Sequence, residues 1–542
     1  GLDIDILKNL LGNGLLLGKK KLVHSYPHCY RCDTPLMYFA KSAWFIATSK
    51  IKDRLLAANE NINWFPNHIK KGRFGNWLEN VVDWNISRER YWGSPLPIWT
   101  CTDCGEQLCV GSFEDLSALL PEPLPENFDP HKPGIDNIEL TCGKCNGKMA
   151  HEREVLDPWF NAGIMPWGQW GYPAKDGSKD NYENQYPCDF ICEAIDQTRG
   201  WFYTLLVAST LLTDRSSYKN VICTEHVLDD DGHKMSKSRG NIVEPIGVCG
   251  KFGGDAVRWN FYAFNPWTVR RFKNDDMIEA LKQILIPYWN AYSFFTTYAL
   301  VDGWKPGTDL TGSKHELDRW ILSRLEGLRE EVEAGLQNYD VSRAAGAIGT
   351  HIDELTNWYI RRSRRRFWKS EDDLDKKDAY NTLYFELKNL NRIMAPFLPF
   401  VTEAVFQNLE RGFEDDSPDS VHLCFWPEER TEMRSKPLEE DMDLTRRISS
   451  IGRALRNEAG IRVRQPMKEV VVSGVSEEFA QQYGDLINDE LNVKSFRVES
   501  NPKALFSYSA KGDFKTLGPR FGKNVKTIIQ AIQNLSAEDL DQ

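Results

Sequence analysis

Residues 189–224 read DFICEAIDQTRGWFYTLLVASTLLTDRSSYKNVICT. Residues 189–192 and 221–224 have the length and apolar character of buried strands, and residues 198–213 are apolar over a length typical of a helix. Strand, helix and strand within about thirty residues are typical of a βαβ crossover. The stretch therefore predicts a parallel sheet for residues 151–227, to which residues 155–160 add a further short strand or strand end.

A polar loop follows this unit directly, and residues 226–241 read HVLDDDGHKMSKSRGN. Lys234 and Lys237 lie between Gly232 and Gly240, so the loop can change conformation and place two ammonium groups on a transferring polyphosphate. This pattern predicts a loop for nucleotide chemistry. An ordinary solvated turn rich in Lys and Ser is the alternative.

Cysteine pairs precede the βαβ unit, where Cys101 and Cys104 form one Cys-x-x-Cys pair and Cys142 and Cys145 form another. Such pairs in a large chain without a signal-peptide pattern suit tetrahedral Zn²⁺ better than disulfides, because the short turn directs both thiolates at one point. The sequence predicts a structural zinc ribbon, inserted at about residues 99–150. The alternative is a pair of turns that has lost its metal.

A third pair, Cys29 and Cys32, has no second pair nearby. Two thiolates alone make a poor zinc site. His24 or His28 could complete it, the partner cysteines could lie in sequence that precedes Gly1, or the pair could be a simple reduced turn. The pair is therefore predicted as half of a second metal site.

The composition fits a folded chain of several domains. At about 150 residues per domain, 542 residues correspond to three or four domains, and 41% apolar with 27% charged residues excludes a disordered chain. The net charge of −11 means that a bound polyanion must be met by local basic patches. No apolar run is long enough to span a bilayer and the first residues are acidic, which predicts a cytoplasmic protein.

The second half of the sequence changes to long amphipathic patterns. Residues 317–409 keep a helical period and predict a bundle, whereas residues 468–473 and 495–499 predict strands of a small α/β element. Residues 358–369 read WYIRRSRRRFWK, with basic side chains interleaved with aromatic ones. This composition is typical of phosphate contact and base stacking, and a solvated charged helix face is the alternative.

Three strings resemble a known family. Residues 233–241 closely resemble the KMSKS signature of class I aminoacyl-tRNA synthetases. Residues 83–93, DWNISRERYWG, and 193–202, EAIDQTRGWF, resemble the isoleucine-specific branch of that class. The resemblance implies ATP-dependent ligation of L-isoleucine to tRNA(Ile) through an isoleucyl-adenylate, with ATP and Mg²⁺ as well as Zn²⁺. Valine or leucine specificity, or a non-catalytic tRNA-binding fragment, is the alternative.

The resemblance also implies roles for individual residues. Glu193 would bind the adenylate, Asp196 and Gln197 would orient the amino acid and ribose, and Trp92 and Trp201 would form the walls of the aliphatic pocket. Lys234 and Lys237 would be catalytic. ATP would be bound by His226, Lys234, Ser236, Lys237 and Ser238, and tRNA by Arg361, Arg362, Arg364, Arg365 and Arg366.

The implied architecture is multidomain: a Rossmann-like α/β catalytic half with a zinc-ribbon insertion, an α-helical anticodon-binding bundle and a small α/β junction. A His-x-Gly-His string, which the class carries early in its nucleotide fold, does not occur in this sequence. The first half of the catalytic fold is therefore expected to precede Gly1, and a monomer that needs that half is expected. The expected segments are residues 1–82 for the end of the connective and editing insertion and the re-entry to the catalytic domain, 83–227 for the second catalytic half with the ribbon, 228–304 for the KMSKS loop and stem-contact region, 305–430 for the anticodon-binding domain, and 431–542 for a truncated junction.

Overall fold

The computed structural model describes residues 2–29, 32–37, 40–236, 239–307, 309–369, 373–411, 417–505 and 510–535. They divide into two compact units, Gly1–Ile222 and Cys223–Gln542. Within the described ranges, no helix combines the length and apolar character needed to cross a membrane.

The first unit combines helices with short strands. Its helices are α1 (Leu2–Gly12), α2 (Lys52–Glu60), α3 (Gly75–Glu79), α4 (Phe113–Ala118), α5 (Pro158–Gly163), α6 (Met165–Gly168), α7 (Ser178–Gln185) and α8 (Trp201–Thr213). Its strands are β1 (Phe45–Ile46), β2 (Asn63–Phe65), β3 (Trp84–Asn85), β4 (Ser87–Arg88), β5 (Ile98–Cys101), β6 (Gln107–Cys109), β7 (Leu140–Thr141), β8 (Lys148–His151), β9 (Val155–Leu156), β10 (Cys188–Ala194) and β11 (Tyr218–Thr224).

The βαβ unit predicted from residues 189–224 is present. Strand β10 leads through α8 to β11, and the sheet order is β10-β11-β2. Strand β2 joins β11 in parallel, with Val221 opposite Trp64. Helix α8 packs its apolar residues into the interior, and Phe202, Leu206 and Val207 are fully buried.

The prediction for residues 155–160 is wrong in two respects. Strand β9 does not join the parallel sheet but pairs antiparallel with β4, Ser87 opposite Leu156. The next residues are helical rather than extended, because Asp157 caps α5 and Pro158 occupies its first turn. Aspartate before proline is a strong helix-start signal, and here it outweighs the apolar pattern.

The ribbon insertion is a separate four-stranded antiparallel sheet in the order β6-β5-β8-β7. Its own small core contains Trp99, Leu116, Ile135 and Met149 together with two of the cysteines. The insertion therefore folds around its own apolar residues as well as around its cysteines.

The second unit is mainly helical. Its strands are β12 (Val227–Leu228), β13 (Arg270–Arg271), β14 (Val470–Ser473) and β15 (Phe496–Glu499). Its helices are α9 (Pro245–Phe252), α10 (Gly254–Tyr262), α11 (Asn274–Ala280), α12 (Ile286–Val301), α13 (Glu316–Gln337), α14 (Val341–Asp353), α15 (Arg361–Lys369), α16 (Asp373–Met394), α17 (Pro399–Leu409), α18 (Lys436–Glu458), α19 (Glu477–Leu491), α20 (Phe514–Phe521) and α21 (Val525–Gln533).

A hydrophobic core runs through this unit beyond the predicted bundle. Tyr288 and Phe295 on α12 are buried in it, as are Met442 on α18 and Ile487 on α19. The predicted domain limits at residues 305 and 430 thus do not coincide with breaks in the core. The small α/β element is present, because β14 and β15 pair in parallel around α19.

Candidate functional site

The four cysteines of the ribbon converge on one point. Their sulfur atoms all lie within 4.8 Å of one another, and the four residues are Cys101, Cys104, Cys142 and Cys145. The Sγ atoms of Cys101 and Cys145 are 3.5 Å apart, and those of Cys104 and Cys142 are 3.7 Å apart. A tetrahedron of sulfurs about 2.3 Å from a metal has edges of this length, so the predicted four-cysteine cluster is confirmed as a geometric fit.

Both turns of the cluster have the same backbone geometry. In the first, Gly105 N–H donates to the Cys101 carbonyl and Cys101 N–H donates to the Glu106 carbonyl. In the second, Asn146 and Gly147 take the corresponding places around Cys142. Gly105 and Asn146 have φ of +71° and +59°, a left-handed conformation that Gly and Asn adopt most readily.

The electrostatics of the cluster also favour a cation. The backbone N–H groups of Cys104 and Asp103 lower the pKa of Cys101 to about 7. The Gly147 N–H lowers the pKa of Cys145. The Cys104 and Cys101 side chains outweigh this effect and raise that pKa to about 12. Without a cation, one thiolate therefore opposes the ionisation of the others, and a bound divalent ion removes that opposition.

The pair Cys29 and Cys32 repeats this turn geometry. Asp33 N–H donates to the Cys29 carbonyl at 2.8 Å, and Cys29 N–H donates to the Thr34 carbonyl at 2.9 Å. Asp33 has φ of +57°, as the fifth residue of each ribbon turn is also left-handed. The turn is therefore shaped like half of a metal site, although no group of three or more ligands forms around it among the described residues.

The predicted amino-acid-site residues lie where β10 meets α8. Glu193 is on β10 and exposed, and Asp196 is exposed in the 3-10 turn that follows. Gln197 links this turn to the helix, because its Nε2 donates to Asp196 Oδ2 at 3.1 Å and its Oε1 accepts from Trp201 N–H at 2.8 Å. The carboxyl end of a strand beside a helix N-terminus is the usual ligand position of a Rossmann-like fold.

Gly200 leaves room for this arrangement. A Cβ atom at Gly200 would lie 2.4 Å from Gln197 Oε1 and 3.2 Å from the Trp159 ring. Any larger residue would therefore displace Gln197 from the start of α8.

The two tryptophans predicted as pocket walls have different surroundings. Trp201 is partly buried and donates from its ring nitrogen to the Ala162 carbonyl at 3.1 Å. Trp92 is 65% exposed and stacks on the His131 ring. Within the described ranges no ring contact joins Trp92 to Trp201, so their shared role as walls stays a prediction.

Sequence reasoning missed a buried carboxylate that organises this region. Asp157 is 3% exposed, and its Oδ2 accepts from Arg88 Nη2 at 2.7 Å and from Trp84 Nε1 at 3.1 Å. The contact joins the 83–93 string to the start of α5. The signal available in the sequence was the Asp-Pro pair after an apolar dipeptide, which predicts a helix cap.

The KMSKS loop in the second unit begins as a hairpin, in which Leu228 bridges to Lys234 and Gly232 turns with φ of +88°. Asp229 accepts from His233 N–H at 2.6 Å and from Asn241 Nδ2 at 2.8 Å, while Asn241 Oδ1 accepts from Ser236 N–H at 2.9 Å. The Asn241 side chain and the His233 N–H hold the pKa of Asp229 below its usual range. Asp229 and Asn241 thus brace the loop, a role that the sequence analysis did not assign.

Lys237 and Ser238 lie outside the described residues. Lys234 is exposed on the described side of the loop, and Ser236 and His226 are partly buried. Their roles toward ATP stay predictions.

Three of the five arginines of the basic helix α15 form ion pairs with buried carboxylates of the same unit. Arg361 and Arg362 pair with the buried Glu490 at 2.8 and 2.9 Å, and Arg366 pairs with the buried Asp318 at 2.7 Å. Arg364 and Arg365 are exposed and make no ion pair or hydrogen bond with any residue that the structure describes. The two arginines at the centre of the run are therefore the ones available to a ligand.

Comparison with known families defines the class. The family model described as tRNA synthetases class I (I, L, M and V) matches residues 4–270, and the anticodon-binding domain of tRNA ligase matches residues 318–472. The chain belongs to the class I tRNA synthetases.

Curated proteins to which this chain is similar include isoleucine–tRNA ligases. That of Clostridium novyi is 44% identical over 100% of this chain and 52% of the relative, and that of Dehalococcoides mccartyi is 45% identical over 94% and 52%. The chain thus spans about half the length of these relatives.

Solved structures support the fold assignment. The methionyl-tRNA synthetase of Mycobacterium tuberculosis, solved in complex with methionyl-adenylate, aligns with a TM-score of 0.53 at 17% identity, covering 74% of this chain and 73% of that one. A second structure of that enzyme, bound by methionyl-adenylate, has a TM-score of 0.51 at 18% identity and covers 70% of this chain and 66% of that one. This likeness shows a shared fold.

Proposed function

We propose that this chain is the part of an isoleucine–tRNA ligase that contributes one side of the isoleucine site, the KMSKS loop and the anticodon-binding bundle. The reaction joins isoleucine to the α-phosphate of ATP with loss of pyrophosphate, and then passes the acyl group to the terminal ribose of tRNA(Ile). The main support is the identity of about 44% to isoleucine–tRNA ligases along the whole chain. The placement of the string 193–202 at the β10–α8 junction agrees with it.

The amino-acid side of the reaction falls to the first unit. The Glu193 carboxylate suits the α-ammonium of isoleucine, and Asp196, oriented by Gln197, suits a ribose or ammonium hydrogen bond. Trp92 and Trp201 offer aromatic surface to a branched alkyl group. These groups orient the substrate and none acts as a covalent nucleophile, so catalysis rests on positioning and charge stabilisation.

The nucleotide side falls to the KMSKS loop. Lys234 and Lys237 neutralise charge on the polyphosphate as pyrophosphate leaves, and Ser236, Ser238 and His226 contact ATP, which acts with Mg²⁺. The bracing of the loop by Asp229 and Asn241 keeps its base fixed while the lysines move.

We further propose that Cys101, Cys104, Cys142 and Cys145 hold one Zn²⁺, which stabilises the ribbon and takes no part in the reaction. Cys29 and Cys32 supply half of a second site. The other half would come from sequence outside these residues.

The partner on the second unit is tRNA(Ile), and the anticodon-binding family match over residues 318–472 supports this role for the bundle. Arg364 and Arg365 carry the phosphate contact. The protein acts as a cytoplasmic monomer, and adenylation needs the catalytic half that carries the His-x-Gly-His string. The functional segments keep the expected limits, although the packed core continues across residues 305 and 430.

Aminoacylation tests this function. The full-length protein that contains this chain is assayed for charging of tRNA with isoleucine, valine and leucine. Charging with isoleucine above the other two supports the proposal, and equal or greater charging with valine or leucine overturns it. A protein that binds tRNA but forms no adenylate with any of the three would be a non-catalytic tRNA-binding protein.

A further inference from the structure

We infer that the ribbon insertion fixes the position of Trp92, with His131 as a positioning residue for the isoleucine pocket. The inference rests on the proposed function, since it takes Trp92 as a pocket wall. It concerns residues 129–133, which lie between the two cysteine turns and which no sequence motif singled out.

The first contact is a ring stack. The His131 and Trp92 ring centroids are 4.3 Å apart and the ring planes differ by 10°. Trp92 is nevertheless 65% exposed. The stack thus covers one part of the indole and leaves the rest available to a ligand.

His131 is itself held in place. Asp129 Oδ1 accepts from the His131 backbone N–H at 2.9 Å and lies 2.6 Å from the ring nitrogen Nδ1. The His131 carbonyl accepts from Gly134 N–H at 3.0 Å. Backbone and ring are both fixed, so the imidazole presents a set plane to Trp92.

The neighbouring residue makes a second contact with the same loop. Lys132 Nζ donates to the Arg90 carbonyl at 3.4 Å, and it also donates to the Arg153 carbonyl. Arg90 lies two residues before Trp92 in the string 83–93. Two adjacent residues of the insertion therefore hold the backbone and the ring of one loop.

The holding segment is anchored in the core of the ribbon. Ile135 is buried there and Phe128 packs against it, so the segment is fixed on both sides. Cys101 and Cys142 belong to the same core. The path from the cysteine cluster to Trp92 is thus continuous packing within one unit, which is the arrangement needed to preorganise a binding wall.

The test is a set of variants in the full-length protein, assayed by isoleucine-dependent ATP–pyrophosphate exchange. His131→Ala should raise the KM for isoleucine about fivefold, within the range of a lost aromatic stack, and leave kcat and the KM for ATP unchanged. His131→Phe keeps a ring to stack on Trp92 but loses the Asp129 contact, so its KM should lie between those of the wild type and His131→Ala. His68→Ala, at an exposed histidine of the same unit, is the matched control.

A double variant separates a positioning role from a structural one. Trp92→Ala should raise the KM for isoleucine, and adding His131→Ala to it should cause no further rise, because the two residues act through one contact. Additive effects, an unchanged KM in His131→Ala, or a KM in His131→Phe no lower than that in His131→Ala would overturn the inference. If His131→Ala does not fold, His131→Gln, which lacks the ring but keeps a donor for Asp129, replaces it with the same expected rise.

The proposed function fails in a different way. Absence of isoleucine-dependent exchange in the wild-type protein, or an unchanged KM in Trp92→Ala, would count against the assigned pocket. A raised KM in Trp92→Ala with none in His131→Ala would count only against the role of His131.

Discussion

At the scale of single residues, the Gln197 side chain caps the start of α8, a role that the family resemblance does not imply. Its side chain closes the first turn of α8 by accepting from Trp201 N–H, and it steadies Asp196 through its other end. One amide thus joins the start of α8 to two residues of the proposed isoleucine site, Asp196 and Trp201. Gly200 makes this possible by having no side chain.

Gly200→Ala should separate these elements. The added methyl group would displace Gln197, break its hydrogen bond to Trp201 and leave Asp196 free to turn away. We expect the KM for isoleucine to rise about tenfold, the scale of one or two lost hydrogen bonds, with the KM for ATP unchanged. Pyrophosphate exchange measures both constants.

Gly168→Ala is the control for that variant, since its Cβ would meet nothing within 4 Å. Equal effects of the two substitutions would show that the loss at Gly200 is a general glycine effect and not the displacement of Gln197.

Asn241→Ala should impair the proposed contacts of the KMSKS loop with ATP and leave isoleucine binding unchanged. It removes the hydrogen bonds that join Asp229, Lys234 and Ser236 at the base of the loop. Adenylate formation should fall about tenfold or more as these bonds are lost, with isoleucine affinity unchanged. Single-turnover assays read the step directly, and Asp231→Asn, at an exposed carboxylate of the same loop, should match the wild type. A change in isoleucine affinity would contradict the division of roles.

At the scale of elements, the inferred role of His131 makes the isoleucine pocket depend on a folded ribbon. Cys142 is fully buried and its sulfur belongs to the cluster, whereas Cys109 lies on β6 of the same sheet outside it. The two cysteines therefore offer a matched pair of substitutions.

Cys142→Ser should lower the bound zinc by one equivalent and Cys109→Ser should not. Because the cluster and residues 128–135 share a core, Cys142→Ser should also raise the KM for isoleucine. Elemental analysis gives the zinc content and pyrophosphate exchange gives the KM. Loss of zinc without any change in KM would show that the ribbon and the pocket are independent.

The sequence pattern predicted the elements that have strong periodicity. It failed where a helix-capping residue interrupts an apolar run. The β10–α8–β11 unit, the helices of the bundle and the β14–α19–β15 element follow from pattern alone. The structure of residues 155–160 could not be predicted from the pattern, because a two-residue strand and an Asp-Pro helix cap share one apolar stretch. The internal ion pairs of α15 were likewise out of reach, since their partners are more than a hundred residues distant for Arg361 and Arg362.

At the scale of the second unit, buried ion pairs fix the helices to one another. Asp318 on α13 is fully buried, and Arg366 on α15 donates to both of its oxygens at 2.7 and 2.8 Å. Burial raises the pKa of Asp318, but the hydrogen bonds from Arg366 outweigh it and hold the pKa below its usual range. Since the folded pKa is below the unfolded one, the stabilisation is present above about pH 4 and is lost as the pH falls through the folded pKa.

Asp318→Asn should therefore lower the free energy of unfolding by about 3 kcal/mol at pH 7, the scale of breaking a buried pair. The gap to the wild type should close as the pH falls below about 4. Urea unfolding at several pH values measures it. Asp419→Asn, in an exposed pair with Arg411, should change stability by less than about 0.5 kcal/mol, and a similar loss in both variants would contradict the account.

RNA contact in the same unit should depend on the two exposed arginines. Arg364→Glu with Arg365→Glu should weaken tRNA(Ile) binding and reduce its salt dependence, because phosphate contacts release counterions. Filter binding at several salt concentrations measures both. Lys515→Glu with Arg520→Glu, on a separate exposed helix, is the charge-matched control, and equal weakening would point to a general charge effect.

Under the proposed function, this chain contributes part of the isoleucine site and the KMSKS loop, and adenylation also needs the catalytic half with the His-x-Gly-His string. The most direct measurement is ATP–pyrophosphate exchange by the 542-residue chain, by a polypeptide carrying that other half, and by the two mixed. We expect activity only in the mixture. Isoleucine should be preferred over valine by a factor of about 10 to 200, the range for one methylene group, for which isoleucine enzymes are themselves an example. A turnover of about 1 s⁻¹ by the chain alone, or a mixture that prefers valine, would contradict it.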